Sequence, residues 1–291
     1  MVFSISHLHN IRDWEVREVA HFIPHGAVVL EIGAGTGVQA KILSDLGFEV
    51  HAVDVAQSSY VANRVFPVID YDGLTLPMQS GTIDVVFSSN VLEHVRDLRS
   101  MHLEIKRVLK PNGFCLHLMP SSSWRLWTTI SGWMDIGPAL HVRFSSSPSL
   151  ERRGKSNGAL DAAKIIASRL IPRRHGEHGF ALSELWTFSR GSWCRHFVSE
   201  YFDVEIAKPM GLFYTGNMLF GKRLSIGGRR QIARWLGSAC NFYKVRPAAQ
   251  DNNRRVQGPD HLRNEEAQFA IFTSNDGLSN EGNVGGVNTQ T

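Results

Sequence analysis

The ten residues VVLEIGAGTG, Val28 to Gly37, set a carboxylate and three glycines directly behind a β-branched apolar run. Such a run reads as a buried strand breaking into a tight loop, where glycine lets a ligand approach the backbone closely. A dinucleotide loop needs GxGxxG, with the following helix aiming its N-terminus at a pyrophosphate. Here Gly33, Gly35 and Gly37 give GxGxG, and Val38 stands where the third dinucleotide glycine belongs. Glu31 makes the stronger argument: a carboxylate at the end of the first strand repels a pyrophosphate but accepts hydrogen bonds from an ammonium group. The loop therefore suits a cationic, phosphate-free ligand. Asp54, which closes the next apolar run, is placed to take two ribose hydroxyls.

A second polar cluster is HGEHGFA, His175 to Ala181, in which glycines flank two histidines and a glutamate. His178 or His175 is the candidate for removing a proton from an acceptor, because imidazole titrates near neutrality. The HxxH spacing has no third ligand in view, so no metal site is assigned. Glu93 and His94, in LEHV, read as residues that open a helix and satisfy its end.

These groups need elements to hold them. Apolar spacing predicts a helix over 11–22, broken by Pro24 and Gly26, and a helix over 38–46 ended by Gly47. Strands are expected at 28–32, 48–53, 66–69, 83–88 and 114–119, with one helix over 91–109 between the last two. A further helix is expected over 183–201, and late strands over 202–206 and 269–273. Strands alternating with helices imply a parallel sheet covered on both faces, whose ligands bind at the carboxyl ends of the strands.

Composition is that of a chain of ordinary globular make-up. The chain has 291 residues, 43% hydrophobic and 20% charged, with a net charge of +4, enough to bury a full core. Cys115, Cys194 and Cys240 are far apart and lack CxxC spacing, which speaks against a zinc ribbon or disulfide framework. No basic-then-apolar leader opens the sequence and no run of 18 apolar residues occurs. The expected location is cytoplasmic, or peripheral at a membrane surface.

VLEIGAGTG, the strand-end Asp54, YDGLTLP (71–77) and IDVVFSSNVLEHV (83–95), in this order, resemble the successive motifs of class I S-adenosylmethionine-dependent methyltransferases. The likeness is to the small-molecule branch that includes ubiquinone, menaquinone and polysaccharide-pathway enzymes, and it covers roughly residues 11 to 120. It implies an α/β, Rossmann-like, seven-stranded mostly parallel sheet of order 3-2-1-4-5-7-6, with a mainly helical insertion after strand 5. It also implies S-adenosyl-L-methionine as cofactor. Glu31 and Gly33 to Gly37 would hold its methionine part, Asp54 the ribose, Asp72 the adenine amino group, and Asn90 the region of the sulfonium. Gly73, Met78 and Ile83 depart from the family's commoner residues without removing a polar ligand-binding group.

The division that follows is a cofactor-binding core over 1–120, an acceptor-pocket or lid insertion over 121–182, completion of the core over 183–273 with a basic insertion around 215–265, and a disordered tail over 274–291. The insertion gathers Trp124, Leu126, Trp127, Ile130, Trp133 and Met134, either as a lid helix over the site or as an element at a membrane boundary. Arg143, Arg152, Arg153, Lys155, Lys164, Arg169, Arg173 and Arg174 face only Glu151 and Asp161. That imbalance attracts an anionic partner; with no recognisable nucleic-acid module beside it, nucleic acid is disfavoured. The expected reaction is methylation of a small-molecule or glycan acceptor, preferably a hydroxyl of a sugar or polysaccharide precursor that is free or lipid-linked. The alternatives are C-methylation of a quinone-type lipid precursor, or a non-catalytic binding module.

Overall fold

A computed structural model describes residues 5–134, 136–137, 140–141, 162–164, 166–167, 174–177 and 179–249. The chain divides into one unit of Met1–Ala248 and another of Ala249–Thr291, the second outside the described residues except for Ala249. His178 and the expected strand at 269–273 also lie outside them, as does most of the basic stretch from 142 to 173.

In the first unit, α1 (Ile5–Ala20) leads to β1 (Val28–Ile32), then α2 (Val38–Asp45), β2 (Glu49–Val55), β3 (Ile69–Tyr71) and β4 (Ile83–Ser89). Next come α3 (Leu98–Val108), β5 (Leu109–Pro120) and α4 (Ser122–Met134). The later described elements are α5 (Glu184–Thr187), α6 (Arg190–Ser199), β6 (Phe202–Pro209), α7 (Ile226–Leu236) and β7 (Cys240–Pro247). The seven strands form one sheet in the order β3-β2-β1-β4-β5-β7-β6, the order that the family resemblance implies. β1 to β5 are parallel where they pair, and β7 runs antiparallel to both β5 and β6.

Alternation along β1 builds both faces of the core. Leu30 and Ile32 pack with Met101, Ile105 and Val108 of α3 and Phe197 of α6. Val29 faces the other way, among Val16 and Val19 of α1 and Ile42 and Leu43 of α2. Each fully buried apolar side chain of this kind contributes about 1.5–3 kcal/mol by leaving water.

Several boundaries differ from the periodicity. The expected helix over 91–109 splits into a 3₁₀ turn, Leu92–His94, and α3, because the Asp97 side chain accepts from Ser100 N and starts a new helix. The helix over 183–201 likewise breaks into α5 and α6, where the Ser189 side chain accepts from Ser192 N. Each cap satisfies backbone N–H groups that a continuous helix would have paired internally. β3 forms three residues later than expected, where Ile69 to Tyr71 align with Val53 to Val55. The strand between β5 and β6 is Cys240–Pro247, read from sequence as part of a basic region. Its Lys244 and Arg246 are balanced by Glu205 of β6, at 2.7 and 2.8 Å.

Candidate active site

Glu31, Asp54, Asp72 and Asn90 all stand at or just beyond the carboxyl ends of neighbouring strands. Glu31 pairs in register with Ala52 of β2 and Phe87 of β4, and Asp54 with Asp70 of β3, two residues before Asp72. The glycine loop turns there, with Gly33, Gly35 and Gly37 all at positive φ (70°, 56° and 73°). A Cβ at Gly33 would run into the Val91 side chain, so any other residue there would collide with the segment that follows β4. The Asp54 carboxylate accepts from Gly35 N at 2.9 Å and Val55 N at 2.8 Å. A carboxylate has about four acceptor positions, so this one fixes the loop and keeps capacity for ligand hydroxyls.

Glu31 is 2% exposed and its Oε2 has no hydrogen-bond partner. Burial pushes its carboxyl up to about 8; the Ala40 backbone N–H opposes this, Asp54 adds to it and Arg12 opposes it. A buried carboxyl oxygen without a donor has hydrogen-bonding capacity to spare, which fits a group that would receive an ammonium. Asp72 is exposed, and its Oδ1 accepts from both Leu74 N and Thr75 N at 2.8 Å, holding the turn after β3. Asn90 leaves β4 with φ 55°, a left-handed conformation that asparagine tolerates better than most residues. With its amide oxygen turned to α1, it accepts from Arg12 Nη1 at 2.7 Å and Nη2 at 3.1 Å.

Arg12 belongs to a cluster that the sequence reading missed. Its Nη1 donates to Glu15 Oε2 at 2.6 Å, and the Tyr214 hydroxyl donates to Glu15 Oε1 at 2.8 Å and lies 2.9 Å from Cys240 Sγ. Glu15, on the face of α1 that carries apolar Val16 and Val19, was the one available signal: a carboxylate in an apolar stripe needs a partner. Tyr214 and Cys240 come from the far end of the chain and gave no such sign.

His175 is brought against Glu93 and His94. The His94 and His175 rings are 4.6 Å apart, and each Nε2 is 3.7 Å from Glu93 Oε1. The loop carrying His175 is fixed from two sides: Glu184 Oε1 accepts from His175 N at 2.5 Å and Gly176 N at 2.8 Å, while Glu177 N donates to Glu93 O at 2.8 Å. Glu184 in turn pairs with Arg125 of α4 at 3.1 Å, and both side chains are almost fully buried. Trp124 packs on the His175 ring with centroids 4.5 Å apart. Burial holds the His94 imidazole below its usual titration range; Glu93 opposes this and His175 adds to it. Glu93 and His94, read from sequence as helix-end residues, thus sit with His175 in one cluster.

Residues 30–117 match the protein family described as methyltransferase domain. The chain carries a class I S-adenosylmethionine-dependent methyltransferase domain. The cofactor of this methyltransferase is S-adenosylmethionine. It is similar to the ubiquinone biosynthesis O-methyltransferase of Idiomarina loihiensis, 29% identical over 175 residues, which cover 55% of this chain and 70% of that one. It is also 28% identical over 180 residues to an uncharacterized methyltransferase of Mycobacterium bovis, covering 52% of this chain and 67% of the other. Among solved structures it resembles a SAM-dependent methyltransferase from Aquifex aeolicus, with 13% identity and a TM-score of 0.45 over 81% of this chain and 91% of that one. No helix of the described residues is long and apolar enough to cross a membrane.

Proposed function

We propose that this methyltransferase transfers the methyl group to a hydroxyl oxygen of a small acceptor that carries an apolar part. The observation that carries the reading is the buried Glu93 carboxylate with His94 and His175 against it, three residues along the chain from Asn90. A hydroxyl must give up its proton or polarise strongly before it is a good nucleophile, and these three are the groups at hand to bring that about. Bound S-adenosylmethionine supplies an electrophilic methyl group, transferred in line from sulfonium. Glu31 would receive the ammonium of its methionine part, Asp54 the ribose hydroxyls and Asp72 the adenine amino group, while Asn90 lines the sulfonium side. Positioning and exclusion of water then supply much of the rate.

The surroundings of His175 favour an aromatic acceptor over a sugar. Trp124 packs against it at a tilt and Phe188 in an edge arrangement, and Phe180, Leu182 and Trp186 are exposed on the following segment, 63–70% accessible. Rings of this kind stack on a phenol and shield an apolar tail. The named activity of the Idiomarina relative supports oxygen methylation in a quinone-type series. A lipid-linked sugar hydroxyl is the second reading, supported by the same apolar rim and by the basic stretch before it. The test is a labelled methyl-transfer assay with a tailed phenol, a lipid-linked sugar and a free sugar, the product located by NMR. Methylation on phenolic oxygen is expected; a product only on sugar, or on carbon, would overturn the reading.

A further inference from the structure

We propose that Glu93, His94 and His175 hold a divalent cation of the zinc class on the acceptor side of the site. This deepens the preceding reading and rests on it only for what the cation does, not for whether it binds. One ligand atom from each residue lies within 4.8 Å of the others. Two imidazole nitrogens with one carboxylate oxygen are a donor set that suits zinc, and three protein ligands leave a position open for a substrate oxygen.

Two details favour a cation over a shared proton. Each imidazole Nε2 stands 3.7 Å from Glu93 Oε1, too far for a hydrogen bond. The edge of a tetrahedron with metal–ligand bonds of 2.0–2.1 Å is about 3.4 Å, so each imidazole nitrogen stands from the carboxylate oxygen at close to a ligand–ligand spacing, and all three atoms lie within 4.8 Å of one another. In addition, the Glu93 side chain is fully buried, and neither of its oxygens has a hydrogen-bond partner. A buried carboxylate in this condition calls for a positive charge, and among the described residues Arg125 pairs with Glu184, Arg96 and Arg174 with Glu177, and Arg12 with Glu15.

The outer groups fit this role. Glu184 holds the His175 backbone and Trp124 packs on its ring, so the ligand farthest away in sequence is the one most firmly placed. Coordination of an acceptor hydroxyl oxygen at the open position would lower its pKa and release its proton to solvent, leaving an oxygen nucleophile beside Asn90.

The test uses the full chain without a histidine tag, stripped with chelator and titrated with Zn²⁺ by calorimetry, and with Co²⁺ by visible absorption. A single cation per chain is expected, with ligand-field bands of a nitrogen–oxygen site, and affinity falling by more than about tenfold in His175→Asn and Glu93→Gln. Absence of binding to the unaltered chain, or binding undiminished in these variants, would overturn the proposal. If circular dichroism shows that Glu93→Gln does not fold, His94→Asn, at the more exposed ligand, takes its place. S-adenosylhomocysteine binding is measured on the same samples. Its loss with cation binding intact would count against the cofactor site and leave the cation site standing.

Discussion

Glu31 is a carboxylate whose protonation depends on what faces it. Its folded pKa of about 8, raised by burial, lies above the unfolded value near 4.3. The stability associated with the neutral acid is therefore present below the unfolded pKa and is lost as pH rises through about 8. A ligand ammonium selects the carboxylate, so S-adenosylhomocysteine binding at pH 7 should release close to one proton. Calorimetry in two buffers of different ionisation enthalpy would read that proton directly; a buffer-independent enthalpy would contradict the role. Glu31→Gln keeps the shape and removes the charge, and an affinity about 10–100 times lower is expected, the worth of one hydrogen bond to a charged group. The residue type and its strand-end position were legible in the sequence. The missing donor on Oε2 was not, because it depends on how α1, α2 and β2 close around the strand.

At the scale of elements, the packing of α3 and α6 on β5 has a pH dependence of its own. His102 of α3 and His117 of β5 are fully buried. Burial holds both near 3, with His196, His117 and Lys106 adding to the effect at His102. His117 shares a hydrogen bond with Ser88 at 2.8 Å and stacks on Phe197, while His102 packs against the His196 and Phe202 rings. Unfolded, both would titrate near 6.5. The unfolded chain thus binds more protons between about 3 and 6.5, and stability is full above that window and falls as the pH drops through it. Urea titrations between pH 7 and 4 should show this loss, and His102→Leu should reduce its slope by about one proton; an unchanged slope would sink the account. The existence of these helices followed from apolar spacing. Their ends did not, since the Asp97 and Ser189 caps interrupt a pattern that periodicity alone continues.

For the molecule as a whole, all seven strands of the sheet in the described residues are in place by Pro247, when β7 has filled the place between β5 and β6. A chain ending at Ala249 should therefore keep the cooperative melting transition and the S-adenosylhomocysteine affinity of the full chain. A chain ending at Gly237, without β7, should lose both, because β6 would have no partner and Cys240 would be absent from the Arg12–Glu15–Tyr214 cluster. Thermal melts and calorimetry on the two truncations check this, and loss of affinity in the longer one would show that residues beyond 249 complete the site.

The sequence by itself determined the parts whose physics is local. A glycine loop after a β-branched strand, a carboxylate at each of two strand ends and a consistent alternation of periods point to a parallel sheet with a ligand at its carboxyl ends, and the resemblance those motifs carry implied the strand order and the cofactor. Tertiary structure decided what depends on approach between distant segments. Arg12 meets Asn90, Tyr214 meets Glu15, and His175 meets Glu93 only because the fold brings together α1, the segments that follow β4 and β6, and the 174–177 loop. The burial that changes a carboxylate's pKa, or spaces three side chains as ligands, is a property of that packing and leaves no periodic mark in the chain.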